Sequence, residues 1–151
     1  MELTYHPATA ADAGLLIRLY NAAFYSDFAK YGVCPGYGKT QAQMEQSILD
    51  FPKFIIRCDD IPVGVISCKE TEPGVYEIGC LCVIPAYQGR GIGTQAVGFV
   101  RSHYNNWRKL TLITPADKEQ NLRFYTETCG FSIQSTEQQN GIPLVRFVME
   151  R

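Results

Sequence analysis

Apolar residues recur at two different periods along this chain, and the switch between them divides it into elements. Residues 2–6 alternate weakly and end at Pro7, which predicts a first strand. Leu15, Leu16, Leu19, Tyr20, Ala23 and Phe24 then recur at three- and four-residue spacing. That spacing gives one apolar helix face, opened by a cap at Thr9 or Asp12. Gly32, Pro35, Gly36 and Gly38 interrupt the pattern, so residues 27–39 are expected to form a loop. Thr40 can cap a short helix to about residue 49, with Met44 and Ile48 inward.

After Pro52 the period shortens to two. Residues 53–58 and 61–69 read as strands joined by a tight turn at Asp59-Asp60. Pro73-Gly74 makes another turn, and residues 75–84 form a long strand that runs into a glycine-rich segment. A helix follows over residues 91 to about 104, with Ala96, Val97, Val100 and Tyr104 on one side. Residues 109–114 are a run of β-formers, and a helix opened by Pro115 or Asp117 extends to Thr128. Gly130 can end that helix in the left-handed conformation. Residues 131–137, an Asn140-Gly141 turn and residues 143–149 make a closing hairpin. The order β-α-α-β-β-β-α-β-α-β-β combines an antiparallel meander with one βαβ crossover.

At 151 residues the chain is expected to be one domain, residues 1–151. Its 46% hydrophobic and 19% charged content places it among globular chains, not disordered ones. A net charge of −1 offers nothing to draw a nucleic acid or an anionic membrane. The start, Met1-Glu2-Leu3-Thr4, is not basic-then-apolar, and no apolar run approaches the roughly 18 residues that span a bilayer. A cytoplasmic, soluble protein is the expectation. Six cysteines occur with no C-x-x-C pair, and both histidines lie far from them, so no metal site is expected. Cys80 and Cys82 alternate with Leu81 and Val83, so the two thiols point to the same sheet face.

The most informative chemistry lies in Leu81-Cys82-Val83-Ile84-Pro85-Ala86-Tyr87-Gln88-Gly89-Arg90-Gly91-Ile92-Gly93-Thr94. A strand ends at a proline, glycines let the backbone turn and approach a ligand, and a helix start offers unpaired N–H groups to an anion. A dinucleotide-binding loop fits less well, because counting from Gly89 its third glycine would fall on Thr94. A nucleotide P-loop would need Gly-Lys-Ser/Thr, which is absent. A glycine-rich turn without a ligand is the plain alternative.

Gln88-x-x-Gly91-x-Gly93, with Val83-x-Pro85-x-Tyr87 before it, resembles the acyl-CoA pyrophosphate loop of the GNAT (Gcn5-related N-acetyltransferase) family. The order of elements resembles that fold over essentially the whole chain. The resemblance implies an α/β (α+β) single-domain fold with a mixed, mostly antiparallel sheet of six to seven strands and about four helices. That sheet is splayed where acetyl-CoA, the cosubstrate, inserts its pantetheine arm. Gln88, Gly89, Arg90, Gly91, Ile92, Gly93 and Thr94 are then expected at the pyrophosphate, and the backbone of Leu81, Cys82 and Val83 at the pantetheine. Asn121-x-x-Phe124-Tyr125 with Gly130-Phe131 is a second match to the family. It implies that Asn121 binds the pantetheine and that Tyr125 protonates the departing thiolate. Asn121 and Tyr125, four apart, are expected on one helix face. Packing of Tyr125 on the sheet is the structural alternative.

Glu77 alternates onto the face of Gly79, Leu81 and Val83, where the family often places a carboxylate base. A solvated strand glutamate is the alternative reading. Tyr31 and Tyr37, in a glycine-rich loop, are expected at the wall of the acceptor pocket. The expected activity is transfer of acetyl from acetyl-CoA to a primary amine of a small molecule, by direct attack and without an acyl-enzyme. Acetylation of a protein or peptide, and a non-catalytic acyl-CoA-binding module, are the alternatives. The acceptor's identity and homodimerisation are left open.

Overall fold

The computed structural model describes residues 1–151, and both periods of the sequence become elements close to those expected. The strands are β1 (Leu3–Pro7), β2 (Lys53–Cys58), β3 (Ile61–Glu72), β4 (Val75–Val83), β5 (Lys109–Pro115), β6 (Ser132–Gln139) and β7 (Ile142–Glu150). The α-helices are α1 (Ala13–Tyr31), α2 (Gln41–Asp50), α3 (Ile92–His103) and α4 (Glu119–Arg123). Together the strands make one seven-stranded sheet in the order β1-β2-β3-β4-β5-β7-β6. β1–β2, β2–β3, β5–β7 and β6–β7 pair antiparallel, and β4–β5 pair parallel. The fold is therefore the mixed, mostly antiparallel α/β arrangement that the element order implied.

Turn chemistry sets the hairpins. Asp59 and Asp60 both have positive φ, 50° and 69°, as do Asn140 and Gly141 at 52° and 77°. Two successive residues in that region make the primed turn whose twist suits antiparallel strands. Helix starts follow the expected caps as well. The Thr40 hydroxyl accepts from the Gln43 N–H at 3.1 Å, and the Gln43 side chain accepts from the Thr40 N–H at 2.8 Å. Thr9 precedes a 3-10 turn (Ala10–Asp12), where the Asp12 carboxylate accepts the Thr9 N–H at 2.8 Å.

Two expectations need correction. The first helix does not stop at Asp27 but runs to Tyr31, because nothing in residues 27–31 breaks a helix. It ends at Gly32, in the left-handed region at φ 72°, whose N–H reaches the Phe28 carbonyl at 2.8 Å. The last helix reaches Thr128, as expected, but does not keep α-helical winding to its end. α4 ends at Arg123, and Phe124–Thr128 is a π-helical turn closed by the Cys129 N–H on the Phe124 carbonyl at 3.0 Å.

The chain packs as two compact units, Met1–Cys68 with Cys80–Ala96, and Lys69–Gly79 with Val97–Arg151. In the first, Leu16, Leu19 and Tyr20 of α1 and Met44 and Ile48 of α2 pack on Ile55, Val65 and Cys82. Burying each such aliphatic side chain contributes roughly 1.5–3 kcal/mol. In the second, Tyr76, Ile78, Leu110, Leu112 and Phe147 are buried. Tyr76 stacks on Tyr104 at 4.5 Å and pairs its hydroxyl with Asn106 at 2.6 Å.

One glycine of the first unit is there for close approach. A Cβ at Gly64 of β3 would be driven into the Cys82 carbonyl oxygen of β4. Backbone cannot swing aside as a side chain can, so Gly64→Ala is expected to cost about 3 kcal/mol or more. The melting temperature should fall by roughly 6–12 °C. Gly98→Ala, where a Cβ meets nothing within 4 Å inside α3, is the control expected to be neutral or stabilising in the same melts.

Candidate active site

The first unit supplies a strand end, a glycine loop and a helix start. β4 finishes at Val83, and Pro85–Tyr87 then make a 3-10 turn, with Tyr87 N–H on the Ile84 carbonyl at 3.0 Å. That turn was not foreseen; it carries the chain from strand to loop in three residues. Gln88 ties the loop back to the strand, its side-chain amide donating to the Val83 carbonyl at 2.9 Å. Gly89 and Gly91 have φ of 78° and 80°. A Cβ at either would meet nothing within 4 Å, so conformation, and not crowding, requires glycine, and the loop has open space around it. Gly93 lies in the first turn of α3.

The Gln95 N–H takes the Gly91 carbonyl at 3.1 Å. N–H groups earlier in the first turn, Ile92 to Thr94, have no carbonyl four residues back inside the helix. Open space, two left-handed glycines and a helix start together make a cradle for a polyanion. Arg90 stays within its own loop. Its guanidinium donates to the Ala86 carbonyl at 3.3 Å and lies 4.7 Å from the Tyr87 ring centre.

Tyr31 and Tyr37 also belong to this unit, but the segment carrying them is better anchored than its glycines suggested. Tyr31 is the last residue of α1, not a loop residue. Tyr37 stacks on Phe28 at 4.5 Å and approaches Tyr25 at 6.0 Å. The Gly38 N–H donates to the Asn21 side chain at 2.9 Å. The outcome is a half-exposed aromatic surface formed by Tyr25, Phe28 and Tyr37.

The second unit holds Glu77, Asn121 and Tyr125. β4 and β5 are in register at three pairs, Val75–Lys109, Tyr76–Leu110 and Glu77–Thr111. Glu77 sits at the last of them. Its carboxylate lies 3.5 Å from the Arg146 guanidinium, and Arg146 donates to Glu137 at 2.6 Å. Arg146 thus bridges two carboxylates that were not expected to be related. Hydrogen bonding to Arg146 holds the Glu137 carboxyl below its ordinary range, and the same bond raises Arg146. Near the β3–β4 turn, Glu70 is also lowered, chiefly by the Gly74 N–H at 3.0 Å.

A depressed folded-state carboxyl stabilises the fold above its unfolded pKa, and the benefit is lost as pH falls through the folded value. Thermal stability should therefore decline over the window below about pH 4.5, the ordinary value of both groups. Glu137→Gln should flatten that decline in melts collected from about pH 6 to about pH 3. A decline as steep as the parent's would show that Glu137 does not contribute to it.

Asn121 donates its side-chain amide to the Thr114 hydroxyl at 3.1 Å, joining α4 to the end of β5. Tyr125 lies inside the π-helical turn, 8% exposed, with its ring against Phe124, Phe131 and Phe147 at 5.0–5.9 Å. Because the wider turn begins at Phe124, Asn121 and Tyr125 are not separated by one regular α-helical turn. A π-turn inserts an extra residue, which re-aims the side chains that follow it, and such turns are frequent at functional sites. Gly130, at φ 87°, ends the segment as expected.

A cleft of about 670 Å³ also occurs in this unit, lined by residues such as Arg101, Trp107, Cys129 and Arg151. It contains none of the expected site residues. Arg146 and Thr114 are the partners that sequence reading missed. Arg146 lies far along the chain from Glu77, and only the β4–β5–β7 registers bring them to one place.

Residues 18–131 match the family model described as the acetyltransferase (GNAT) family. Among solved structures, an acetyltransferase from Thermus thermophilus is similar at 22% identity and a TM-score of 0.80, covering 100% of this chain and 98% of that one. PaiA N-acetyltransferase from Thermoplasma acidophilum, in complex with coenzyme A, is similar at 13% identity and a TM-score of 0.75, over 97% and 98%. Aminoglycoside acetyltransferase AAC(6')-Ib, in complex with coenzyme A, is similar at 22% identity and a TM-score of 0.76, over 99% and 95%. Curated protein sequences gave no significant match.

Proposed function

Because the chain belongs to the GNAT family of acetyltransferases, we propose that it transfers acetyl from acetyl-CoA to a primary amine of a small molecule. The amine attacks directly, with no acyl-enzyme. The observation that carries the donor's identity is the loop of Gly89 and Gly91, both left-handed and open, leading into the first turn of α3. Gln88 to Thr94 hold the pyrophosphate through backbone N–H groups, as a helix start holds any phosphate. The backbone of Leu81, Cys82 and Val83 lines up the pantetheine, and Asn121 contributes a side-chain contact to it.

Acetyl transfer from a thioester supplies its own leaving group, so the protein's work is alignment and proton movement. Glu77 takes the ammonium proton, directly or through water, and the ion pair to Arg146 holds that carboxylate in place. Tyr125 gives a proton to the departing thiolate. A phenol suits this role, since its ordinary pKa of about 10 keeps it protonated at neutral pH. Small-molecule acceptors are supported by similar structures named for aminoglycosides, one of them a complex with kanamycin.

The test is release of free CoA thiol from acetyl-CoA across a panel of small amines and, separately, peptides. Turnover with small amines supports the reading. Turnover confined to peptides overturns the acceptor class, and binding of acetyl-CoA without turnover overturns the enzyme.

The aromatic surface of Tyr25, Phe28 and Tyr37 suits the apolar part of an acceptor, and Tyr31 ends the helix that carries Tyr25 and Phe28. Tyr31→Ala and Tyr37→Ala should each raise KM for the best amine by about twofold to twelvefold, the cost of about 0.5–1.5 kcal/mol of aromatic contact. The apparent affinity for acetyl-CoA should change less than about twofold. Loss of donor affinity in both variants would make the segment structural and move the acceptor elsewhere.

A further inference from the structure

The cleft of about 670 Å³ in the second unit has no place in the acetyl-transfer reading. Two guanidiniums reach one indole there. Arg101, in the last turn of α3, lies 5.5 Å from the centre of the Trp107 ring, and Arg151, just past β7, lies 5.3 Å from it. Both fall within the roughly 6 Å over which an aromatic ring attracts a cation. An indole carries no net charge, however, and neutralises neither of them.

No carboxylate pairs with these cations. The Nη1 of Arg151 donates to the Asn105 and Trp107 carbonyls at 2.8 and 3.0 Å, which leaves its Nε and Nη2 donors without a protein acceptor. Arg101 donates to no protein group and meets only the ring. Two like charges gathered at one ring repel each other, and an anion between them relieves that repulsion. Glu150 is the one carboxylate side chain in the lining and forms no ion pair with either arginine. The lining side chains therefore keep an excess of positive charge, although the chain as a whole carries −1. Cys129 adds no negative charge, because burial pushes its thiol up to about 11 against the opposing pull of Arg101. With Met149 it gives the cleft an apolar side.

We propose that this cleft is a second ligand site, separate from acetyl transfer, for a small organic anion: a carboxylate or phosphate head held by Arg101 and Arg151, and an apolar body against Met149 and Cys129. The Nε and Nη2 donors of Arg151 form the side of the guanidinium fork that takes two oxygens of such a head. Volume favours an organic ligand over a bare ion, since small-molecule sites run from about 300 to 1,000 Å³. The site also stands apart from the residues of the proposed reaction. Glu150 pairs with Lys109 at the first residue of β5, whereas Asn121 meets Thr114 five residues along, roughly 17 Å away.

Trp107 is the single tryptophan of the chain, so its fluorescence reports on the cleft directly. The full chain is titrated with hexanoate and with hexyl phosphate at constant ionic strength, without acetyl-CoA, and melts are collected in parallel. A saturable fluorescence change and a rise in Tm with one or both probes are expected, and the tighter probe identifies the head group. Hexanamide, which lacks the charge, and acetate, which lacks the body, should each bind at least about tenfold more weakly. Arg101→Gln should weaken the better probe by about tenfold or more, and Arg101→Lys, which keeps the charge but not the fork, should fall between. Arg101 is exposed, so these variants should fold as the parent does. No saturable change in either signal below about 10 mM overturns the proposal. Equal affinity for hexanamide, unchanged affinity in Arg101→Gln, or displacement of the probe by acetyl-CoA overturns it as well. No turnover enters the measurement, so its outcome is independent of the acetyl-transfer reading.

Discussion

Gly91→Glu is expected to abolish the thermal stabilisation that acetyl-CoA gives the parent chain. At a ligand concentration about 100 times its dissociation constant, binding to the folded state adds about 2.7 kcal/mol. For a chain of this length that corresponds to a rise in Tm of roughly 5–10 °C. Gly91 has φ of 80°, and forcing an L-residue into that region costs about 1–2 kcal/mol. The variant's own ligand-free melt is therefore the reference. The glutamate also places a negative charge at the helix start, where we propose that the pyrophosphate binds, so the two effects act together. Gly91→Ala separates them: it carries the strain without the charge, and should retain part of the shift. NAD and ATP should give the parent no comparable rise. A shift in Gly91→Glu equal to the parent's would exclude this loop as the pyrophosphate site.

Tyr125→Phe is expected to slow the chemical step by roughly tenfold to a thousandfold, at or just below the usual contribution of a general acid. The substitution keeps the ring that packs against Phe124, Phe131 and Phe147. Loss of the hydroxyl should cost no more than about 1–2 kcal/mol of stability, and the shift in Tm with acetyl-CoA should persist. Single-turnover measurement at saturating acetyl-CoA keeps product release from masking the effect. Near-parental rates under those conditions would leave Tyr125 as a packing residue, with water supplying the proton.

What the sequence determined by itself is what neighbours along the chain decide. The primed turns at Asp59-Asp60 and Asn140-Gly141, the Thr40 cap and the left-handed Gly130 each depend on a few adjacent residues, and all appear as read. Strand and helix periods needed only the side chains' own polarity, because burying one face requires a matching repeat. The glycine loop was legible for the same reason: the freedom at Gly89 and Gly91 is a property of the residues themselves. The helix end at Tyr31 was misplaced because Asp27, Ala29 and Lys30 tolerate a helix, and the stop is set by Gly32 alone.

Only the tertiary structure could place groups that meet across strands. Glu77 reads as a solitary carboxylate until three strand registers bring Arg146, itself held by Glu137, within 3.5 Å of it. Lys53 reads as an ordinary strand lysine, yet it is 5% exposed, with its ammonium on the Phe51 carbonyl at 3.2 Å. The π-turn at Phe124 is likewise invisible to a periodicity, since inserting one residue into a helix leaves its apolar pattern almost unchanged over five residues. In each case local residue type allows several partners or phases. The choice is made by the free energy of burying the whole sheet and its helices together, which no short window of sequence contains.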